Sequence, residues 1–315
     1  MKIVFFGTPS FSVPFLEHLI RDPGIEVVGV VTQPDKPSGR GGEVTPSPVK
    51  TMAQDAVIPF FQPSSLKTDP HIGQTLRDLN ADFFVVVAYG KIIPKAILDI
   101  PKRGSLNVHP ALLPRHRGPS PMQWAIAEGD PTTGVTIMLL DEGMDTGPLL
   151  ASEHLTIDTE ETYETLVHKV HEIGPRLLTE TLKRFEKGEI IPLKQDEAYA
   201  TITRLLEKED GHVNWSDTMA QIDRKHRAYS AWPETWTCWE RKPGVCLRLK
   251  LVSLQPVDFR ADVAQGTVVV KDSRLFVDCA DGTLEILEIQ PEGKPKMKAS
   301  AFIAGYGDID QAVMN

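Results

Sequence analysis

The chain is poor in the features that settle a protein's class at a glance. Among 315 residues there are only three cysteines, Cys238, Cys246 and Cys279. An odd, sparse set without metal-ligand spacing excludes a disulfide scaffold and a cysteine-built zinc site; free thiols in a reducing compartment are expected. No apolar run approaches the about 18 residues of a membrane-spanning helix, so no membrane partner is expected. The opening Met1–Gly7 segment has one lysine and only four apolar residues before its glycine. It reads as a strand, too short for a signal-peptide core, and a cytoplasmic location is expected. Positive charge is not in excess: 34 Lys and Arg stand against 43 Asp and Glu, a net charge of −9. Bulk charge therefore announces no nucleic-acid partner, and any RNA contact needs a locally basic surface. The first strand is followed by Gly7-Thr8-Pro9-Ser10, with a single glycine where a dinucleotide fold places G-x-G-x-x-G. A nicotinamide cofactor is not expected on that ground. A nucleophile elbow is also missing, and no cysteine sits in a reactive setting.

What is present is a rhythm. Ile3–Phe6, Val27–Val31, Phe83–Ala88 and Ser105–Val108 are short apolar runs without alternation. Strands apolar on both faces belong to a parallel sheet covered by helices on each side. A helix is expected after Pro14, with Phe15, Leu16, Leu19 and Ile20 on one face. The fold class is therefore α/β, a doubly wound, mostly parallel sheet of Rossmann-like type. Val135–Leu140 and Leu149–Leu155 are expected to pair at the sheet's edge. A long helix is expected from Asp158, with Glu161 completing a capping pattern, a kink at Gly174-Pro175 and an end near Gly188. Residues 190–206 read as a linker, giving a catalytic domain over 1–189 and a second domain over 207–315. In the second domain, after a helical stretch Met219–Ala228, the runs Val245–Leu254, Gly266–Val270, Arg274–Asp278 and Thr283–Gln290 are short, β-prone and separated by turns. They predict a small antiparallel β-barrel.

The chemistry concentrates in Gly104–Gly118. Asn107 and His109 are two apart at the end of an expected strand, so their side chains face the same way. A Pro- and Gly-rich turn follows, and a second turn, Asp141–Gly147, supplies Asp145. Amide, imidazole and carboxylate without a covalent nucleophile point to direct transfer between two bound substrates. An amide N–H and an imidazolium stabilise a tetrahedral oxyanion, and a neighbouring carboxylate favours the charged imidazole. His168 and His171 lie three apart on the long helix, but no carboxylate or cysteine completes a metal site, and no metal is expected. His116 reads as structural or surface. Gln33–Pro48 holds four prolines and three glycines in sixteen residues, a long excursion past the end of the second strand, where ligands bind such sheets.

Asn107–Gly118, Thr133-Gly134-Val135-Thr136 and Met144-Asp145-Thr146-Gly147 resemble the folate-dependent formyltransferases. The resemblance implies formyl transfer from 10-formyltetrahydrofolate to an amine, with Asn107, His109 and Asp145 as the catalytic trio. It extends over nearly the whole chain to the members that act on methionyl-initiator tRNA in translation initiation. Phe6-Gly7-Thr8-Pro9 opens the match. Thr32–Pro37, Gly39-Arg40-Gly41 and Thr45–Lys50 look like their acceptor-stem loop, implying tRNA contacts by Lys36 and Arg40. Val86–Pro94 looks like a wall of their folate pocket, implying folate contacts by Val87, Tyr89 and Gly90 and, across the crevice, by Ala111, Leu112, Leu113 and Pro114. Lys208–Gly211, Asn214-Trp215 and Ile222-Asp223-Arg224 begin what is, in that family, an OB-like barrel contacting tRNA. A monomer is expected.

This chain departs from that pattern at Pro110, often glycine in relatives, and at Gly42-Glu43-Val44, where lysines are expected. The stretch from Glu207 to Asn315 carries 14 Lys and Arg against 17 Asp and Glu. The tRNA contact must then be focused, with Lys36, Arg40 and the Arg224-Lys225-Arg227 patch pairing phosphates. Two other readings stay open: a formyltransferase acting on a sugar-nucleotide amine, and a non-catalytic RNA-binding relative.

Overall fold

The computed structural model describes residues 1–38 and 43–315, which cluster into two compact units. The first comprises Met1–Pro121, Thr132–Thr156 and Val167–Thr203; the second comprises Met122–Pro131, Ile157–Leu166 and Arg204–Asn315.

Strands β1 (Lys2–Gly7), β2 (Glu26–Val31), β3 (Lys36–Ser38), β4 (Glu43–Thr45), β5 (Phe60–Phe61), β6 (Phe83–Val87), β7 (Ser105–His109), β8 (Thr132–Leu139) and β9 (Leu149–Thr156) belong to the first unit. Seven of them form one sheet in the order β5-β2-β1-β6-β7-β8-β9, while β3 and β4 pair with each other. The sheet is parallel from β5 to β7 and antiparallel over β8 and β9. The parallel strands are the apolar runs of the sequence: β6 is buried throughout, as are five of the six residues of β1. The helix Val13–Arg21 buries Phe15, Leu16 and Leu19, the face its spacing predicts.

The long helix runs Tyr163–Glu186 and starts later than expected. Asp158 and Glu161 do exchange a hydrogen bond, but Thr162 and Thr165 hold the helix start by reciprocal side-chain bonds of 2.9 and 3.2 Å. The helix is continuous through Pro175. Gly174 admits a close neighbour, since a Cβ there would lie 2.8 Å from the ring of Phe15. Gly7 serves packing in the same way: a Cβ would meet Phe5 at 2.7 Å and the Val87 carbonyl at 3.1 Å.

Residues 190–203 group with the first unit. Leu193 bridges Leu149 of β9, and Ile202 bridges Arg117. The segment is laid along the sheet edge and the turn after β7 by backbone hydrogen bonds.

In the second unit, β10 (Trp236–Lys242), β11 (Val245–Val257), β12 (Val268–Lys271), β13 (Arg274–Asp278), β14 (Thr283–Pro291) and β15 (Met297–Lys298) form an antiparallel sheet ordered β10-β11-β14-β13-β12, with β15 on β14. Register shifts around Ser253 let the 13-residue β11 bend. The last residues join the open edges: Met314 bridges Trp239 and Val313 bridges Thr267. The result is the expected OB-like barrel, around a core that includes Trp215, Trp239, Leu249, Val277, Ile286 and Phe302. β10 lies outside the strands expected from the sequence. Cys238 on β10 and Cys246 on β11 are joined by a disulfide, their Cα atoms 5.5 Å apart. The expectation of three free thiols holds for buried Cys279 alone.

Candidate active site

β7 runs parallel to β6 and antiparallel to β8, with Asn107 opposite Val86 and Met138 and His109 opposite Thr136. The end of β7 thus lies at the carboxyl edge of the parallel strands, where ligands bind such sheets. The turn that follows is clamped by Thr136. Its hydroxyl donates to the Ala111 carbonyl at 2.6 Å and accepts the Leu113 N–H at 3.3 Å. Gly118 closes the turn at φ +101°, and a Cβ there would lie 2.7 Å from the Thr203 carbonyl. Glycine alone satisfies both demands.

The three side chains expected to act together do meet. Asn107 Nδ2 donates to Asp145 Oδ1 at 3.3 Å, which leaves its second N–H for a ligand. Asp145 Oδ2 accepts the Gly118 N–H at 2.8 Å and lies 3.6 Å from His109 Nδ1. The other ring nitrogen, His109 Nε2, is 2.8 Å from the His116 carbonyl. A carbonyl only accepts, so this bond assigns the ring proton to Nε2 and leaves Nδ1 basic, facing the carboxylate.

The electrostatics differ from the sequence expectation in one respect. His109 is buried, and burial lowers its pKa below the ordinary imidazole value, against the pull of Asp145 and of the His116 carbonyl. His109 therefore rests neutral near pH 7, and Asp145 becomes its counter-ion only once a proton arrives at Nδ1.

The expected folate wall is partly buried and partly exposed. Val87 is buried and its carbonyl accepts the Ser12 hydroxyl at 2.6 Å. The Tyr89 carbonyl accepts Thr8 Oγ1 at 3.0 Å and Gln33 Nε2 at 2.8 Å. The Tyr89 ring packs edge-on against Phe6 within the sheet's core, and burial pushes its phenol up to about 12. Gly90 is exposed at φ +78°, and a Cβ there would meet the Gln33 amide at 2.7 Å. Opposite, Ala111 and Leu113 are buried, Leu112 and Pro114 half-buried, and Leu112 leans over Gly134 of β8.

Lys36 is exposed on β3, its ammonium 3.2 Å from Gln33 Oε1, so Gln33 touches both the loop arm and the Tyr89 carbonyl. Arg40 lies outside the described residues. The basic patch on the helix Met219–Ala228 is engaged internally: Lys225 with Asp217 at 2.7 Å, Arg227 with Asp223 at 2.8 Å, and Arg224 with the Ala127 carbonyl at 3.4 Å.

Several contributors were invisible in the sequence. His116 supplies a carbonyl rather than a ring, and Gly118 supplies an N–H. Arg117 is buried, with Nε on Gln195 Oε1 at 3.0 Å and its terminal nitrogens on both carboxylate oxygens of Glu197 at 2.8 and 2.9 Å.

Residues 1–182 match the family model for formyl transferase, and residues 205–307 match that for the formyl transferase C-terminal domain. Sheet and barrel are thus those of a formyl transferase with its C-terminal domain. The methionyl-tRNA formyltransferase of Acidobacterium capsulatum is 44% identical over 307 residues, covering 97% of this chain and 96% of the relative. That of Caldanaerobacter subterraneus subsp. tengcongensis is 40% identical over 306 residues, covering 97% of each. The chain belongs to the methionyl-tRNA formyltransferase family. Among solved structures, an N-formyltransferase of Helicobacter canadensis shares the fold with a TM-score of 0.66 at 15% identity, over 92% of this chain and 99% of that one.

Proposed function

We infer that this protein transfers the formyl group of 10-formyltetrahydrofolate to the free amino group of methionyl-initiator tRNA, with Asn107, His109 and Asp145 as its catalytic residues. The observation that carries the reading is the convergence of these three side chains at the carboxyl edge of the sheet. The site offers a donor and a base but no nucleophile of its own, as attack by an amine on a formyl carbon requires.

The amine attacks the formyl carbon, and negative charge grows on the formyl oxygen. The spare N–H of Asn107 binds that oxygen; one such donor is typically worth about 3 to 4 kcal/mol. The attacking nitrogen must lose a proton. His109 Nδ1, neutral at rest, accepts it and becomes a cation beside Asp145, so the carboxylate stabilises charge that forms during the reaction and not before. The proton then returns to the departing folate nitrogen as the C–N bond breaks. Asp145 holds the imidazole's orientation throughout. Folate lies along the backbones of Val87, Tyr89 and Gly90 and of Ala111, Leu112, Leu113 and Pro114. Lys36 and Arg40 pair with tRNA phosphates, and the barrel over 207–315 carries further tRNA contacts, while residues 1–189 form the catalytic domain. The protein acts as a monomer in the cytoplasm. No described helix is long and apolar enough to cross a membrane.

Incubation with 10-formyltetrahydrofolate and either methionyl-initiator tRNA or an amino-sugar nucleotide separates the acceptors. Formyl transfer to the charged tRNA alone is expected. Transfer to the sugar would replace the acceptor; tRNA binding without turnover would mark a non-catalytic relative. Elution at monomer size in gel filtration accompanies the first outcome.

A further inference from the structure

The carboxylate read as catalytic sits on a turn whose other end Thr146 ties to Asp141, its hydroxyl 2.7 Å from Asp141 Oδ1. Asp145 adopts φ +55°, a left-handed backbone that few residues other than glycine take up without support. Support comes from the segment expected to be a linker. Gln195 Nε2 donates to the Asp145 carbonyl at 2.8 Å and to the Gly147 carbonyl at 2.7 Å. Its other end, Oε1, accepts Arg117 Nε at 3.0 Å. Gln195 and Arg117 are each 4% exposed.

We propose that Gln195 is a positioning residue for the reaction, setting the distance between Asp145 and His109. The claim rests on the reading of Asp145 as catalytic. The geometry is specific because Arg117 lies between two residues that already touch the trio. Its predecessor, His116, holds His109 Nε2, and its successor, Gly118, holds Asp145 Oδ2. One amide therefore ties the turn carrying Asp145 to the turn that orients His109. Glu197 completes the chain by gripping both terminal nitrogens of Arg117, which keeps the guanidinium's edge turned toward Gln195. The arrangement requires an amide at 195. Arg117 needs an acceptor and the two carbonyls need donors, and among side chains of this length only glutamine offers both.

The test is Gln195→Glu, which keeps the acceptor for Arg117 and sets a carboxylate oxygen against two carbonyls. A fall in kcat on the order of 10- to 100-fold is expected, with KM for the charged tRNA nearly unchanged, because displacement of a catalytic group by about 1 Å costs that much. The His109 ring resonances are followed by nitrogen NMR in Gln195→Met, of similar length and neutral, so that no new charge adds to the field; they should titrate at lower pH than in the wild type, since the Asp145 carboxylate has drifted from the imidazole. Should Gln195→Glu fail to fold, Gln195→Met carries the kcat readout as well. Unchanged kcat, or a kcat loss with the His109 titration in its wild-type place, would overturn the proposal. Asp145→Asn is the control: if it retains full formyl transfer, the catalytic reading has failed; if it is inactive while Gln195→Glu is fully active, only the positioning role has failed.

Discussion

His109 Nδ1 lies 3.6 Å from Asp145 Oδ2, too far for a formed hydrogen bond and near enough to attract a charge. Because Nε2 is committed to the His116 carbonyl, the vacant lone pair and the carboxylate face the same space. The pair is arranged for the protonated state while burial keeps the resting state neutral. In the proposed mechanism His109 takes up a proton in mid-reaction, and such a group needs this combination.

Replacing Asp145 by asparagine tests the carboxylate's two roles together. Its oxygens accept from Asn107 and from the Gly118 N–H. An asparagine has one oxygen, so its NH2 must face a donor, and the charge that favours protonated His109 is gone. We expect kcat to fall roughly 100-fold or more, and the His109 titration to move further down in pH. Steady-state kinetics and nitrogen NMR of the ring measure both.

The pH dependence of stability has a defined sign. Burial lowers the pKa values of His109, His171 and His226 below the unfolded-chain value of about 6.5. Above that value both states are neutral and the groups contribute nothing. As pH falls through it, the unfolded chain takes up protons first and folding stability declines until the folded-state values are reached. The depressed carboxylates, Asp22, Asp82, Asp210 and Glu285 among them, lose their contribution only below about 4. Tm is therefore expected to be lower at pH 5.5 than at pH 7.5, and the difference to shrink in His226→Gln. A flat Tm over this interval would show that these imidazoles are not buried neutral.

Gly134→Ala probes the hairpin that carries the Asp145 turn. A Cβ at Gly134 would sit 2.2 Å from the Glu153 carbonyl and 2.6 Å from the Leu112 side chain. Backbone on one side cannot yield as a side chain can, so β8 and β9 must part. A loss of about 1 to 3 kcal/mol is expected in urea denaturation, with the Leu112 contact displaced as well.

Lys36→Ala addresses the acceptor. An exposed lysine that pairs a phosphate should, when removed, weaken tRNA binding and reduce the slope of log K against log salt by about 1. An unchanged slope would remove Lys36 from the tRNA contact.

How much of this was legible in the sequence follows from range. β7 was readable because a short apolar run with Asn107 and His109 at alternate positions states its own geometry. The hairpin β8–β9 and the helix Met219–Ala228 were readable by the same local logic. The start of the long helix was misplaced because Asp158-x-x-Glu161 and Thr162-x-x-Thr165 are both plausible caps, and only the fold decides which carries the helix. Gln195 was illegible: it lies in a stretch without periodicity, and its meaning comes from carbonyls about fifty positions away in the chain. Neutral His109 was illegible because proximity to a carboxylate can be guessed from spacing, whereas the depth of burial that outweighs it cannot.

The central claim is that Asn107 and His109 perform formyl transfer by binding the developing oxyanion and taking the amine's proton. Single-turnover formyl transfer from 10-formyltetrahydrofolate to methionyl-initiator tRNA tests it most directly, comparing the wild type with Asn107→Ala and His109→Ala. The expected result is a rate constant roughly 100- to 1,000-fold lower in each variant, with tRNA affinity preserved. Near-normal transfer by either variant would contradict the account.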